Sequence, residues 1–378
     1  MTKHNASNER VKRDYLQYLK DARGRDEVTI DRVAKSLARF EESTGRKDFR
    51  KFHREQAMAF KRRMAEARNV RTGETLSKAT VHSTLSDLKA FFEWLSREPG
   101  FRQKIAFSDA DYFNLSEKDT AIARAVREKA VPSVEQLQHV LSAMPANTLV
   151  ERRDRALIAC AAVTGARVSA LASFRLGHVN LVGHWIEQDA RTVKTKFSKT
   201  FRTFFMPVVE GAEAILAQWV TELREQELRG PTDYLFPITE VGVGENGEFE
   251  SKGLGRTGWT NTNTIREVFR RAFEAVGLPY FNPHSLRDML VRHAMSMGLN
   301  AEQMKAWSQN LGHENVMTTF TSYGHVPVHK QGELIRQTGS ESPLQSLADD
   351  PEFAALLRKI ASRTFKEGGP NPNSEPMP

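Results

Sequence analysis

Pro283-His284-Ser285-Leu286-Arg287 (residues 283–287), entered through Asn282, reads as the start of a helix. His284 and Arg287 stand three positions apart and share one helix face. The backbone amides after Asn282-Pro283 are placed to receive an anion. A cationic fork and an imidazole beside an anion-receiving helix start suggest phosphate chemistry. Taken alone, the same five residues fit an ordinary helix start equally well.

Three other stretches change the balance. Upstream, Thr164-Gly165-Ala166-Arg167-Val168-Ser169 follows an apolar run from Ala156 to Val163. Between two strand-like pieces, Trp185 to Glu187 and Phe201 to Met206, lies a polar stretch with Lys194, Lys196 and Lys199. Downstream, Asn310-Leu311-Gly312-His313 precedes Thr318, Thr319 and Tyr323. Each has a plain explanation in isolation: a surface arginine, a charged turn, a packed histidine, a core tyrosine. Together, two arginines, two histidines, a hairpin lysine and a late tyrosine make a kit for splitting a phosphodiester without a metal. The transition state spreads charge over the non-bridging oxygens, which arginine's bidentate fork can match. A nucleophile that stays attached preserves the bond for rejoining. The departing 5′ oxygen needs an acid, a task suited to lysine.

The chain around these stretches has 378 residues, 39% of them hydrophobic and 27% charged, which suits two globular domains with a sizeable core. Its one cysteine, Cys160, excludes a disulfide framework and a cysteine metal cluster. Met1 to Asn8 is polar with no apolar run behind it, and no stretch is long and apolar enough to span a bilayer. A cytoplasmic protein is expected. The net charge of +8 points to a polyanionic partner. Residues 1–100 hold 23 Lys+Arg against 15 Asp+Glu and so carry the whole excess.

That first quarter reads as short amphipathic helices. Ile30, Val33, Leu37 and Phe40 recur at helical spacing, as do Val81, Leu85, Leu88, Phe91, Phe92 and Leu95. Residues 1–9 are expected to be flexible, 10–98 a helical module with a basic face, and 99–132 a linker. Lys61, Arg62, Arg63, Arg71, Lys78 and His82 are its candidate DNA contacts, with a solvated face as the competing explanation for His82. Ser133 with Gln136 fits a capping box, so a second domain is placed at 133–340. Its helical segments are Asp154–Leu171, Ala212–Leu228, Thr264–Val276, His284–Met297 and Ala301–Gln309, with a mobile Gly-rich loop at 240–260. A helix at 341–366, carrying Leu344, Leu347, Phe353, Leu356, Leu357 and Ile360, and a disordered tail at 367–378 complete the chain.

The ordered set of motifs resembles the tyrosine recombinases, or phage integrases. Thr164-Gly165-Ala166-Arg167 is similar to that family's first arginine box and His284-Ser285-Leu286-Arg287 to its His-x-x-Arg box. Leu311-Gly312-His313 with Tyr323-Gly324-His325 is similar to the closing box. The resemblance implies a mainly α fold with a small β-sheet or hairpin. A helical core-site-binding domain would be joined to a mixed α/β catalytic domain, the two clamping duplex DNA from opposite faces. It also implies the roles. Tyr323 attacks the scissile phosphate and forms a 3′-phosphotyrosyl link. Arg167 and Arg287 hold the phosphate oxygens, His284 assists proton handling, and His313 hydrogen-bonds the phosphate. A hairpin lysine is the general acid, with Lys196 ranked first, Lys199 second and Lys194 also a candidate.

No metal and no other cofactor is implied. The implied partners are double-stranded DNA at specific recombination sites, three further copies forming a homotetramer, and an accessory directionality factor, with no membrane. The 341–366 helix would dock on a neighbouring subunit. With the helical module beginning near residue 10, simple core-type sites are expected rather than an additional arm-binding domain. Integration or excision of a mobile element is the expected activity. A type IB topoisomerase-like enzyme, which would relax any supercoiled plasmid, and a non-catalytic DNA-binding protein are the alternatives.

Two departures from the family pattern stand out. His313 and Tyr323 are one residue further apart than is commonest, and Ala170 occupies the place of a usual carboxylate.

Overall fold

The computed structural model describes residues 4–70, 72–125, 130–243, 247–313, 331, 332 and 335. The chain divides into two compact units, residues 1–127 and 128–378.

The first unit is helical: α1 (Ala6–Asp21), α2 (Glu27–Ser43), α3 (Arg54–Glu66), α4 (Lys78–Leu95) and α5 (Glu117–Arg124). Asn5, Asp26, Ser77 and Ser116 cap α1, α2, α4 and α5 by accepting backbone amides that no carbonyl reaches. The apolar stripes read from the sequence face inward, and Ile30, Val33, Leu37, Phe40, Val81, Leu85 and Leu88 are all buried. Aromatic rings fill the centre. Phe52 stacks on Phe92 with ring centroids 3.7 Å apart, while Phe40 meets Phe60 and Phe92 edge to face.

Residues 99–125 correct the expected linker. Ile105, Ala110 and Phe113 belong to this same core. Phe113 lies within 5.7 Å of both Phe52 and Phe92, centroid to centroid. Its packed part, residues 105–113, has no helical period because it folds through 3-10 turns at Phe107–Phe113, and α5, which follows, buries none of its residues, so neither carries an apolar stripe.

The second unit is mixed: α6 (Val134–Ala143), α7 (Leu149–Thr164), α8 (Val168–Leu171), β1 (Val179–Asn180), β2 (Trp185–Gln188), β3 (Phe201–Phe204), α9 (Ala212–Glu225), β4 (Thr239–Val243), β5 (Phe249–Leu254), α10 (Asn263–Glu274), α11 (Pro283–Ser296) and α12 (Ala301–Asn310). The capping box at Ser133 and Gln136 forms with both hydrogen bonds. The helix α7 is buried on all sides from Ala156 to Thr164 and forms the axis of the core.

The expected single helix over 154–171 is broken. Gly165 adopts φ +58 and closes α7, so Ala166 and Arg167 leave the helical path before α8 begins. Thr164 steadies this turn: its Oγ1 donates to the Cys160 carbonyl and accepts from the Ala166 amide.

The strands β1, β2 and β3 form an antiparallel sheet in that order, with Ile186 opposite Thr203 and Gln188 opposite Phe201. The β2–β3 connection carries the three lysines. Residues 240–260 are a second correction, since β4 and β5 pair as a hairpin rather than forming a loop. Most of its side chains are exposed, including Val241, Val243 and Phe249, so no alternation of buried and exposed residues announced it. Two arginines anchor its base. Buried Arg153 donates to the Pro237 carbonyl and Thr239 Oγ1, and Arg229 donates to the Leu254 and Gly255 carbonyls.

Candidate active site

The site is assembled around Arg287, on the second turn of α11. Pro283 occupies the first position of that helix, and Asn282 caps it by accepting the His284 amide at 3.0 Å. His284 is thereby exposed on the opening turn, while Arg287, one turn further, is 3% exposed. Its Nη1 donates to the Gly165 carbonyl at 3.0 Å and its Nη2 to the Leu311 carbonyl. One guanidinium therefore joins the first arginine box, the His-x-x-Arg box and the closing box. A buried cation held by two carbonyls is oriented before any ligand arrives.

The backbone around it is close-fitting. A Cβ added to Gly165 would stand 2.7 Å from Leu311 Cδ2, and one added to Gly312 would stand 2.5 Å from Phe201 Cζ. Both glycines also have positive φ, +58 and +71, so only glycine meets both demands. Arg167, half-buried, sits at the N-terminal boundary of α8 with extended backbone.

His313 is buried just after α12. Its amide donates to the Ser308 carbonyl at 3.1 Å, and Ser308 Oγ stands 3.5 Å from Nδ1. Burial pushes its pKa down to about 3, helped by the positive groups of Arg287, Arg167, His284 and Lys199 in that order. These residues come from three separate stretches of sequence and act on one imidazole. His313 is therefore neutral at ordinary pH and suited to hydrogen bonding rather than to carrying charge.

The hairpin lysines differ in their surroundings. Lys199 is half-buried, two residues before β3, and its charge acts on His313. Lys196 and Lys194 are exposed. The Lys194 amide donates to Ser173 Oγ at 2.9 Å, fastening the loop to the end of α8. Lys196, placed from sequence at the end of the first strand, instead opens a 3-10 turn at Lys196–Ser198.

Asn310, Thr203 and Gln188 form a hydrogen-bonded group to which the sequence motifs assign no role. Phe204 N donates to Asn310 Oδ1 at 2.7 Å, Asn310 Nδ2 donates to Phe204 O at 2.9 Å, and Thr203 Oγ1 donates to Asn310 O at 3.1 Å. Gln188 Nε2 donates in turn to Thr203 Oγ1 at 2.8 Å. An asparagine directly before the Leu-Gly-His triplet, at the end of a helix, is the only sequence signal of this arrangement.

The candidate DNA contacts lie in the first unit. On α3, Arg62 and Arg63 are exposed, and Lys61 Nζ donates to the Asn114 carbonyl at 2.8 Å. On α4, Lys78 pairs with Asp119 at 2.9 Å, and His82 lies half-buried one turn on. Arg71, Thr318, Thr319, Tyr323, the 341–366 helix and the tail lie outside the described residues. Among the described residues, no helix is long and apolar enough to cross a membrane.

The fold and the site define a class, a mixed α/β unit in which arginines and histidines from distant stretches of sequence meet around a buried imidazole. Residues 133–329, just over half of the chain, match the phage integrase family. The chain belongs to that family, the tyrosine recombinases, and with it is a DNA breaking and rejoining enzyme.

Among its relatives is the tyrosine recombinase XerC of Herpetosiphon aurantiacus, 24% identical over 90% of this chain and 98% of that one. Another is the tyrosine recombinase XerC of Corynebacterium efficiens, 28% identical over 49% of this chain and 50% of the relative. This chain thus spans about half of the Corynebacterium protein. The fold is similar to that of a lambda integrase dimer bound to a COC′ core site, with TM-score 0.56 and 14% identity, covering 85% of this chain and 99% of that one. The Tn1549 transposon integrase in complex with circular intermediate DNA gives TM-score 0.56 at 16% identity, covering 86% and 98%.

Proposed function

We propose that the chain is a site-specific recombinase that integrates or excises a mobile element through a 3′-phosphotyrosyl intermediate. The observation that carries this reading is the buried Arg287 guanidinium, which ties the first arginine box at Gly165 to the closing box at Leu311, two residues from buried His313. In this scheme the Tyr323 phenol oxygen attacks the scissile phosphorus. The P–O5′ bond breaks, the 3′ side stays on the tyrosine, and Lys199 protonates the departing 5′ oxygen. Arg167 and Arg287 hold the non-bridging oxygens, neutral His313 donates a hydrogen bond to one of them, and His284 handles the phenol proton. A 5′ hydroxyl from the partner duplex then attacks the phosphotyrosine and completes the exchange.

Four copies on two duplexes, working in the cytoplasm with a directionality factor, complete the proposal. The 341–366 helix would link neighbouring subunits. The basic helical unit and the catalytic unit would grip DNA chiefly through its phosphates, with Arg62, Arg63 and Arg71 among the contacts. The transposon integrase among the structural relatives supports the assignment to a mobile element.

The test uses two duplexes of unequal length, both carrying a site selected from random sequence by binding to the full chain. Products of recombinant length support the reading. Cleavage and resealing without exchanged ends, accompanied by relaxation of any supercoiled plasmid, would replace it with a topoisomerase-like activity.

A further inference from the structure

The strand β3 is the outer strand of its sheet, and an outer strand leaves backbone groups unpaired along one side. In an antiparallel pair the N–H and C=O of one residue point the same way, alternately toward the neighbour and away from it. Phe205 N donates to the His184 carbonyl, back toward β2, so the preceding residue, Phe204, turns its N–H and C=O outward. Asn310 occupies that outer side. Its side-chain amide accepts from Phe204 N and donates to Phe204 O, satisfying both groups as a neighbouring strand would. The Asn310 carbonyl receives Thr203 Oγ1, and the Phe201 ring lies against Gly312. Three successive attachments, at residues 201, 203 and 204, therefore bind β3 to residues 310–312. His313 follows at one end, and Lys199 precedes β3 at the other.

We propose that Asn310 is a positioning residue that sets the general-acid lysine against the scissile phosphate by locking the β3 edge to the His313 segment. This inference rests on the recombinase reading above. The chemistry of the side chain supports it. Aspartate offers the acceptor without the donor, glutamine carries the amide one methylene too far, and alanine offers neither group. A displacement of about 1 Å in a catalytic group can cost on the order of 10²-fold in rate. The affected step is delivery of a proton to the 5′ oxygen, which leaves the phosphate clamp and the nucleophile intact.

That selectivity provides the test. A duplex with sulfur in place of the bridging 5′ oxygen departs as a thiolate, which needs no acid. Wild type, Asn310→Ala, Asn310→Asp and Lys199→Ala are compared on the selected duplex with oxygen or sulfur at the scissile position, reading covalent adduct formed per unit time. Binding affinity and melting temperature are recorded alongside. Asn310→Ala is expected to lose on the order of 10²-fold on the oxygen substrate and to return to within a few-fold of wild type on sulfur, as Lys199→Ala does. Asn310→Asp is expected to fall between, and it reads the same effect if the alanine variant fails to fold. An equal loss on both substrates, or no loss on either, overturns the inference while leaving the recombinase reading intact. No adduct from wild type on either substrate overturns the reading and the inference together.

Discussion

Arg287 Nη1 donates to the Gly165 carbonyl at 3.0 Å, joining two motifs 122 residues apart in sequence. With its second bond to the Leu311 carbonyl, this arginine both points at the site and holds the site's walls together. Arg287→Lys keeps the charge and loses the planar fork. Hydrogen bonds from a buried charged group contribute about 1.5–3 kcal/mol each. The lysine variant is expected to lose about 2–4 kcal/mol by urea unfolding and nearly all cleavage. Full cleavage with unchanged stability would contradict the bridging role.

The glycine contacts give a graded series. Gly24 has φ +57 and open space where a Cβ would go, so Gly24→Ala meets backbone strain alone, about 1–2 kcal/mol. Gly312→Ala meets the same strain and a collision with the Phe201 ring, and overpacking adds roughly 1–3 kcal/mol. Gly312→Ala is expected to unfold at the lower urea concentration and to slow cleavage, because its collision displaces β3 from the His313 segment. Gly24→Ala should leave the cleavage rate unchanged.

Acid should destabilise the second unit through His313. Its folded pKa of about 3 lies below the ordinary value near 6.5. As pH falls from about 6.5 toward 3, the unfolded chain takes up a proton that the folded chain refuses. Stability is then lost at about 1.4 kcal/mol per pH unit, with no contribution to the slope from this group above or below the window. His313→Gln should flatten that part of the urea-midpoint profile. A variant profile parallel to wild type between pH 6.5 and 4 would show that another group is responsible.

Removing a general acid costs about 10²–10⁴-fold. Lys199→Ala is expected to slow cleavage by that factor, and Lys196→Ala by less than about tenfold, in single-turnover assays on the selected duplex. The opposite order would restore Lys196 to the position the sequence suggested.

What the sequence revealed and what it concealed divide along a physical line. The apolar stripes of α2 and α4 and the capping box at Ser133 were legible because each is written within a few neighbouring residues. The motifs holding Arg167, His284, Arg287 and His313 were legible as an ordered set. The packing of 105–113 was concealed because its 3-10 turns carry no 3.6-residue period. The β4–β5 hairpin was concealed because it faces solvent. Asn310 stands inside a motif, yet nothing in the sequence marks its role, since its partner lies 106 residues away and is a backbone group, indifferent to side-chain identity. The ranking of Lys196 and Lys199 depended on where one short turn falls, which residue types alone do not fix.

The most direct measurement of the central claim is covalent capture. The full chain and its Tyr323→Phe variant are incubated with a nicked suicide duplex bearing the selected site, and the products are separated on a denaturing gel. A tyrosine nucleophile gives a protein–DNA adduct with the wild-type chain, a tyrosine-linked 3′ phosphate at residue 323 by peptide mass, and no adduct with the phenylalanine variant. Tight binding of the same duplex by both proteins with no adduct from either, or an adduct that survives Tyr323→Phe, would contradict it.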